Sequence, residues 1–419
     1  EVSPGLLQQQ WSAGSPGAKE IRFPIKIRSI TVGVNREKLD LTDFKPTDTR
    51  VRLADVRVEG AGLPGPEPET SINVWEGGAT GDWSDPAGWS LGRVPDETDD
   101  VLVENATLTA TNGIAAGTLV LENVKLTVKA PELTDYSVFE TVDKATAALR
   151  EHALVVRIAG DFIVSGTSVV QPEAAELSGV PVIFRVGGDV TLDVGAAFDV
   201  NRRGWGWSPD LYENAPTPFA RKRKRESAYT ADYWTVAFGA GENYSTGGNY
   251  RYGTSFAPFL PGSPSGAYYS KATDPDPDLG RGPGSIVVLA GGTMTIRGKM
   301  LASPTNTSDG GTPSGGAIWL AAQRFIFGPD ALLTANGGSP TNGNQFGPGQ
   351  GGRIALAEGC TDEEIDEMLN GTLPESLLEG SDIAGVAVSV AGGNTPNGAK
   401  KQADGTIAMV RPKSKQAIL

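Results

Sequence analysis

Short apolar runs split by glycine recur along most of this chain, and a repeat of that kind restricts the fold more than any single motif. Ala159-Gly160-Asp161-Phe162-Ile163-Val164 is echoed by Gly187-Gly188-Asp189-Val190-Thr191-Leu192 and by Gly291-Gly292-Thr293-Met294-Thr295-Ile296. A fourth copy is Gln323-Arg324-Phe325-Ile326-Phe327, and Leu119-Val120-Leu121 with Val124-Lys125-Leu126-Thr127-Val128 is a weaker early member. In a second series Gly315-Gly316-Ala317-Ile318-Trp319-Leu320 matches Gly351-Gly352-Arg353-Ile354-Ala355-Leu356, and Asp404-Gly405-Thr406-Ile407-Ala408-Met409 closes it. Strands of three to six residues with glycine at the corners, roughly 26 to 37 residues apart, suit a solenoid. Each coil then stacks its strands on the next and buries one apolar face. The expected fold is all-β, a right-handed parallel β-helix with Ile158, Phe162, Ile286, Ile318 and Ile354 facing one core. A β-sandwich of similar hairpins competes, but the copies repeat as units and lack alternating hairpin turns.

Composition agrees with a folded chain. Gly contributes 55 and Pro 29 of the 419 residues, short of the collagen range, and a 39% hydrophobic fraction is enough for a core. No run reaches 18 apolar residues, so no membrane-spanning helix is expected. The formal charge of −14 argues against nucleic acid as a partner. One cysteine, Cys360, excludes an internal disulfide; with one histidine, His152, it makes a zinc site and His-based acid–base chemistry improbable. His152 reads as a surface or capping residue, and Cys360 as a buried thiol.

Three regions are expected. Residues 1–72 are a leader with two strand-like segments, Ile21–Ile30 and Val51–Val58, closed by a linker with Pro64, Pro66 and Pro68. Residues 73–411 are the β-helix, and 412–419 a tail. The opening Glu1-Val2-Ser3-Pro4 does not read as a signal peptide and suits a mature form. Thr361–Asn370 is the clearest helix, with Thr361 as N-cap, acids in its first turn and Gly371 beyond its end.

Residues 201–283 interrupt the repeat and hold half of the chain's aromatic residues. A long insertion between coils tends to carry a binding surface. Trp205, Trp207, Tyr233, Trp234, Tyr250 and Tyr252 are candidate platforms for sugar rings, the bland alternative being a small aromatic core for the loop itself. Arg221-Lys222-Arg223-Lys224-Arg225 suits a sulfated or carboxylated polysaccharide, a dibasic cleavage site or a solvated loop tip. Asp274, Asp276 and Asp278 alternate with proline and suit a hard cation such as Ca2+, or a solvated turn; no other cofactor is expected. Asp161 and Asp189 hold matching repeat positions, as paired carboxylates for glycoside hydrolysis would. Asp199 with Arg202 and Arg203 suits lyase-type proton abstraction. The plain alternative for these residues is corner hydrogen bonding to the backbone.

Trp75-Glu76-Gly77-Gly78, Gly81-Asp82-Trp83 and Gly88-Trp89-Ser90, followed by Val94-Pro95, resemble the opening segment of bacterial autotransporter-like β-helix proteins, with Gly88 where Asn is usual. Ser314–Leu320, Thr334–Gly338 and Pro258–Ser263 are similar to large glycine-rich bacterial surface proteins. The resemblance covers about 73–410 and implies an exported, cell-surface or extracellular β-helix of structural or adhesive role. Its expected partners are polysaccharide, other surface proteins or further copies of the chain. The alternative is a polysaccharide lyase or glycoside hydrolase, which rests on analogy of fold.

Overall fold

A computed structural model describes residues 71–135, 142–205, 253–264, 281–306, 312–341, 348–398 and 401–413. From Asp99 to Glu358 successive strands visit three sheets in rotation. Sheet I takes Ser71–Val74, Asp99–Glu104, Leu119–Glu122, Phe162–Ser165, Val190–Leu192, Thr293–Ile296 and Arg324–Phe327, in that order. Sheet II takes Thr80–Asp82, Thr107–Ala110, Lys125–Lys129, Val169–Glu173, Ala197–Asp199, Lys299–Leu301, Leu332–Thr334 and Ala387–Ser389. Sheet III takes Ala115–Ala116, Leu154–Ile158, Val182–Val186, Ser285–Ala290, Ala317–Ala322, Arg353–Glu358 and Thr406–Pro412. Neighbours within each sheet are parallel; the exception among the described strands is Leu377–Gly380, which closes sheet III antiparallel to Thr406–Pro412. The ladder starts at Ser71, inside the region expected to be leader, and ends at Pro412, one residue into the expected tail.

Side-chain alternation sorts the sheets. In sheet I, Asp99–Glu104 and Phe162–Ser165 bury every second residue, as strands with one face on a core do. Ile158, Phe162, Ile286, Ile318 and Ile354 all point into that core. In sheet III, Ser285–Ala290 and Ala317–Ala322 are buried at every position. Their near-continuous apolar runs fit a parallel sheet covered on both faces. A second cluster therefore lies outside it: Val287, Leu289, Trp319, Ala321 and Ala355 face away from the first core. They are covered by Trp205, Phe259, Leu260 and two helices, α1 (Val142–Glu151) and α2 (Asp362–Leu369). The expectation of a single core is corrected by this layer.

Helix α2 begins with a capping box: the Glu364 amide donates to the Thr361 hydroxyl, and the Thr361 amide to the Glu364 carboxylate. His152 follows α1, is exposed, and donates its backbone N–H to Ala148 O at 2.9 Å. Cys360 is buried in the second cluster. No helix among the described residues is long and apolar enough to cross a membrane.

The corners explain the repeat. Between sheets III and I the backbone stacks glycine on glycine: the Gly188 amide donates to Gly160 O at 2.8 Å and the Gly292 amide to Gly188 O at 3.0 Å. A second glycine column, Gly284, Gly316, Gly352 and Gly405, precedes the sheet III strands. A Cβ on any of the last three would overlap the carbonyl oxygen of the glycine one repeat earlier. Extended segments around that column lie outside the sheets yet are largely buried. Their amides donate to neighbouring segments: Gly262 to Pro283 O (2.7 Å), Gly338 to Pro313 O (3.0 Å), Gly349 to Gly338 O (2.9 Å) and Gly393 to Gly349 O (2.8 Å). Buried backbone must find such partners.

Candidate functional site

Connections from sheet I to II and from III to I are mostly brief, for example 105–106, 123–124, 117–118 and 291–292. The connections from sheet II to III include 130–153, 200–284, 302–316, 335–352 and 390–405. One corner thus carries most of the chain's long excursions, as the binding face of a repeat protein often does. The largest is the expected insertion. Across it the ladder pairs Val190 with Met294, 104 residues on, against 28 between Phe162 and Val190, and Asn201 Nδ2 donates to Thr305 Oγ1 at 2.7 Å.

The base of that excursion is clasped. The Gly204 amide donates to Gly282 O at 2.8 Å, the Gly282 amide to Trp205 O at 2.9 Å, and the Gly284 amide to Val200 O at 2.8 Å. Beneath these bonds the Glu173 carboxylate receives Arg203 Nη1 at 2.8 Å from the outgoing side and Arg281 Nη1 at 3.1 Å from the returning side. Arg281 is 4% exposed and also donates to Gly204 O (2.7 Å) and Ala174 O (3.0 Å). Arg203 donates further to Gln171 Oε1 at 3.2 Å. Segment 253–264 was expected within the excursion but lies back on the scaffold. There Phe259 and Leu260 enter the second cluster, Arg353 Nη1 donates to Gly253 O at 2.9 Å, and Ser263 N to Ser314 Oγ at 3.0 Å.

The predicted site residues divide accordingly. Asp161 and Asp189 are neighbours in the ladder, and their oxygens take backbone amides. Asp161 Oδ1 accepts from Asp189 N at 3.0 Å, and Asp189 Oδ1 from Thr293 N at 2.7 Å. Both oxygens thus serve the corner role, taking backbone amides of the next coil. Asp199 accepts from Asn201 N at 2.9 Å, Arg202 forms the turn with φ +54°, and Arg203 serves the clasp. Trp205, expected to offer a ring face to sugar, is 1% exposed and packs where a Cβ on Gly179 would strike its indole. A buried ring has no face to offer, so Trp205 belongs to the core. Trp207, Tyr233, Trp234, Tyr250, Tyr252, the cations 221–225 and Asp274, Asp276 and Asp278 lie outside the described residues. Among the described residues no three His, Cys, Asp or Glu side chains converge as a metal site.

Sequence reasoning missed two charged groups. One is Glu173 with Arg281, whose signal was two polar residues in Val169-Val170-Gln171-Pro172-Glu173, at strand positions that would otherwise face water. The other is Arg157 and Arg185, the same offset in two copies, Val156-Arg157-Ile158 and Phe184-Arg185-Val186. These arginines are Cα partners on adjacent sheet III strands. They line an open cleft of about 290 Å³ against α2, together with Glu97, Leu289, Asp362 and Ile365. Near the start of the ladder, Asp99 is fully buried and held by Arg93 through two bonds (2.6 and 2.7 Å), by Asp96 N (3.1 Å) and by the Ser71 hydroxyl. Burial pushes its pKa up, but the hydrogen bonds from Ser71, Asp96 N and Arg93 outweigh it and hold the carboxyl below its ordinary value.

Searches of protein families, curated proteins and solved structures find no match to this chain.

Proposed function

We propose that this chain is a right-handed parallel β-helix of the bacterial exterior, extracellular or cell-surface, with a structural or adhesive role. In this reading it contacts polysaccharide through the corner between sheets II and III. The observation that supports the reading is the concentration of long connections at that one corner, above a clasp that fixes where the largest departs and returns. A rigid ladder presenting variable loops on one side is an arrangement suited to binding extended partners. The loop residues outside the clasp then supply the sugar contacts, with Trp207, Tyr233, Trp234, Tyr250 and Tyr252 as the aromatic platforms and Asp274, Asp276 and Asp278 as a Ca2+ site. Other surface proteins and further copies of the chain are the remaining proposed partners.

Two assays test this reading. Protease treatment of intact producing cells should digest the chain without lysis. A polysaccharide panel incubated with the protein should yield no new reducing ends and no unsaturated uronates. Protection from the protease would place the chain inside the cell and refute the exterior role. Steady product release would show a lyase or a glycoside hydrolase instead.

A further inference from the structure

We propose that the cleft beside α2 binds the carboxylate of an acidic sugar, a uronate residue of a polysaccharide. Arg157 and Arg185 leave the same face of adjacent strands, and like charges placed directly opposite each other on a sheet repel. Only one of them has an internal counter-charge. Arg185 is paired with Asp366 of α2, whereas Arg157 has no ion pair or side-chain hydrogen bond among the described residues. An exposed guanidinium held beside a second one, at the mouth of a cleft, is a position that an anion stabilises. The planar fork of arginine matches a carboxylate through two parallel hydrogen bonds.

The rest of the lining narrows the ligand. Glu97 and Asp362 also line the cleft, and their carboxylates are suited to accept hydrogen bonds from hydroxyl groups. With Asp366 taken by Arg185, Arg157 is the one guanidinium left for a ligand, beside two carboxylates, which favours a ligand with a single negative group ringed by hydroxyls. A densely charged polyanion such as nucleic acid would meet Glu97 and Asp362 and be repelled. No clasp residue lines the cleft, so the site does not depend on the insertion reading.

Calorimetric titration of the full chain with trigalacturonate tests this, with maltotriose and inorganic sulfate as comparison probes. The expected result is binding of trigalacturonate, at least tenfold weaker binding to Arg157→Ala, and none of maltotriose. Arg157 is exposed, so the alanine variant keeps its fold; loss of one of two like charges leaves the melting temperature unchanged or higher. Arg157→Lys retains the charge without the fork and should also lose most of the affinity. Absence of trigalacturonate binding, equal affinity in Arg157→Ala, or sulfate binding as tight as that of trigalacturonate would each overturn the proposal. Affinity that survives Arg157→Ala but vanishes when residues 207–252 and 265–279 are each replaced by a short Gly-Ser linker, leaving 253–264 in the second core, would overturn this site and leave the insertion reading standing.

Discussion

Replacing Glu173 with alanine leaves two guanidinium groups facing an empty position. The loss is unequal. Arg203, 23% exposed, keeps Gln171 and some water; Arg281, 4% exposed, keeps two backbone carbonyls but loses its counter-charge. Removing one partner of a buried ion pair costs about 3–5 kcal/mol, chiefly because the remaining charge stays buried. The partial exposure of Arg203 means that Arg281 dominates, so a value near the lower bound, about 3 kcal/mol, is expected for Glu173→Ala. Replacing all three residues, as Glu173→Met, Arg203→Met and Arg281→Met, removes the buried charges together and should recover most of that loss. Equilibrium urea unfolding reads the stability, and limited trypsinolysis reads the clasp: cleavage after Arg281 should be slow in the wild type and fast in Glu173→Ala. A loss under about 1 kcal/mol, with unchanged cleavage after Arg281, would refute the claim that Glu173 pins both ends of the excursion.

Three further outcomes follow from the same contacts. Ile318→Ala, at a fully buried position in the first core, should cost about 2–5 kcal/mol in urea unfolding. Gly352→Ala adds a Cβ against the Gly316 carbonyl and should cost about 1–3 kcal/mol or more, although alanine normally favours order over glycine; a neutral effect would mean that the column is not close-packed. Asp99 has a folded pKa below its unfolded value near 3.9, so its ionised form stabilises the fold fully above that value. The contribution is lost as pH falls through the folded pKa; the stability gap between wild type and Asp99→Asn should therefore be widest near pH 6, begin to narrow below about pH 4 and close only below the folded pKa.

Much of the ladder was legible because its signal is local. The copies around Phe162, Val190, Met294 and Phe325 sit at equivalent positions in sheet I, and the glycines preceding the first three mark a real corner. The second core was not legible. In Ala317–Ala322 every position is apolar, so no alternation reveals that Trp319 faces outward while Ile318 and Leu320 face inward. The glycine-rich segments were not legible for another reason. Pro-Ser-Gly-Gly at 313–316 and Gly-Pro-Gly-Gln-Gly-Gly at 347–352 carry turn chemistry, yet Ser314 and Gly349–Gly352 are buried and bonded to chains distant in sequence. Such lateral pairing leaves no periodic trace. Asp161 and Asp189 were placed rightly as neighbours, but residue type alone does not separate a catalytic pair from a corner that caps amides. Glu173 and Arg281 are 108 residues apart, and only the closed ladder brings them together.

The central claim is that a fixed scaffold presents a polysaccharide-binding corner. Its most direct test is retention on immobilised polysaccharides, acidic and neutral, for the chain carrying Arg157→Ala, which silences the cleft beside α2. That chain is compared with its insertion intact and with 207–252 and 265–279 each replaced by a short Gly-Ser linker, so that segment 253–264 stays in the second core. Glu173, Arg203, Arg281 and the backbone clasp stay in place in the linker variant, so its circular dichroism and unfolding should match those of the parent. The account predicts that the chain with its insertion intact is retained on at least one polysaccharide and that the linker variant loses most of this retention. Equal retention of both chains, or none by the chain with its insertion intact on any polysaccharide, would contradict it.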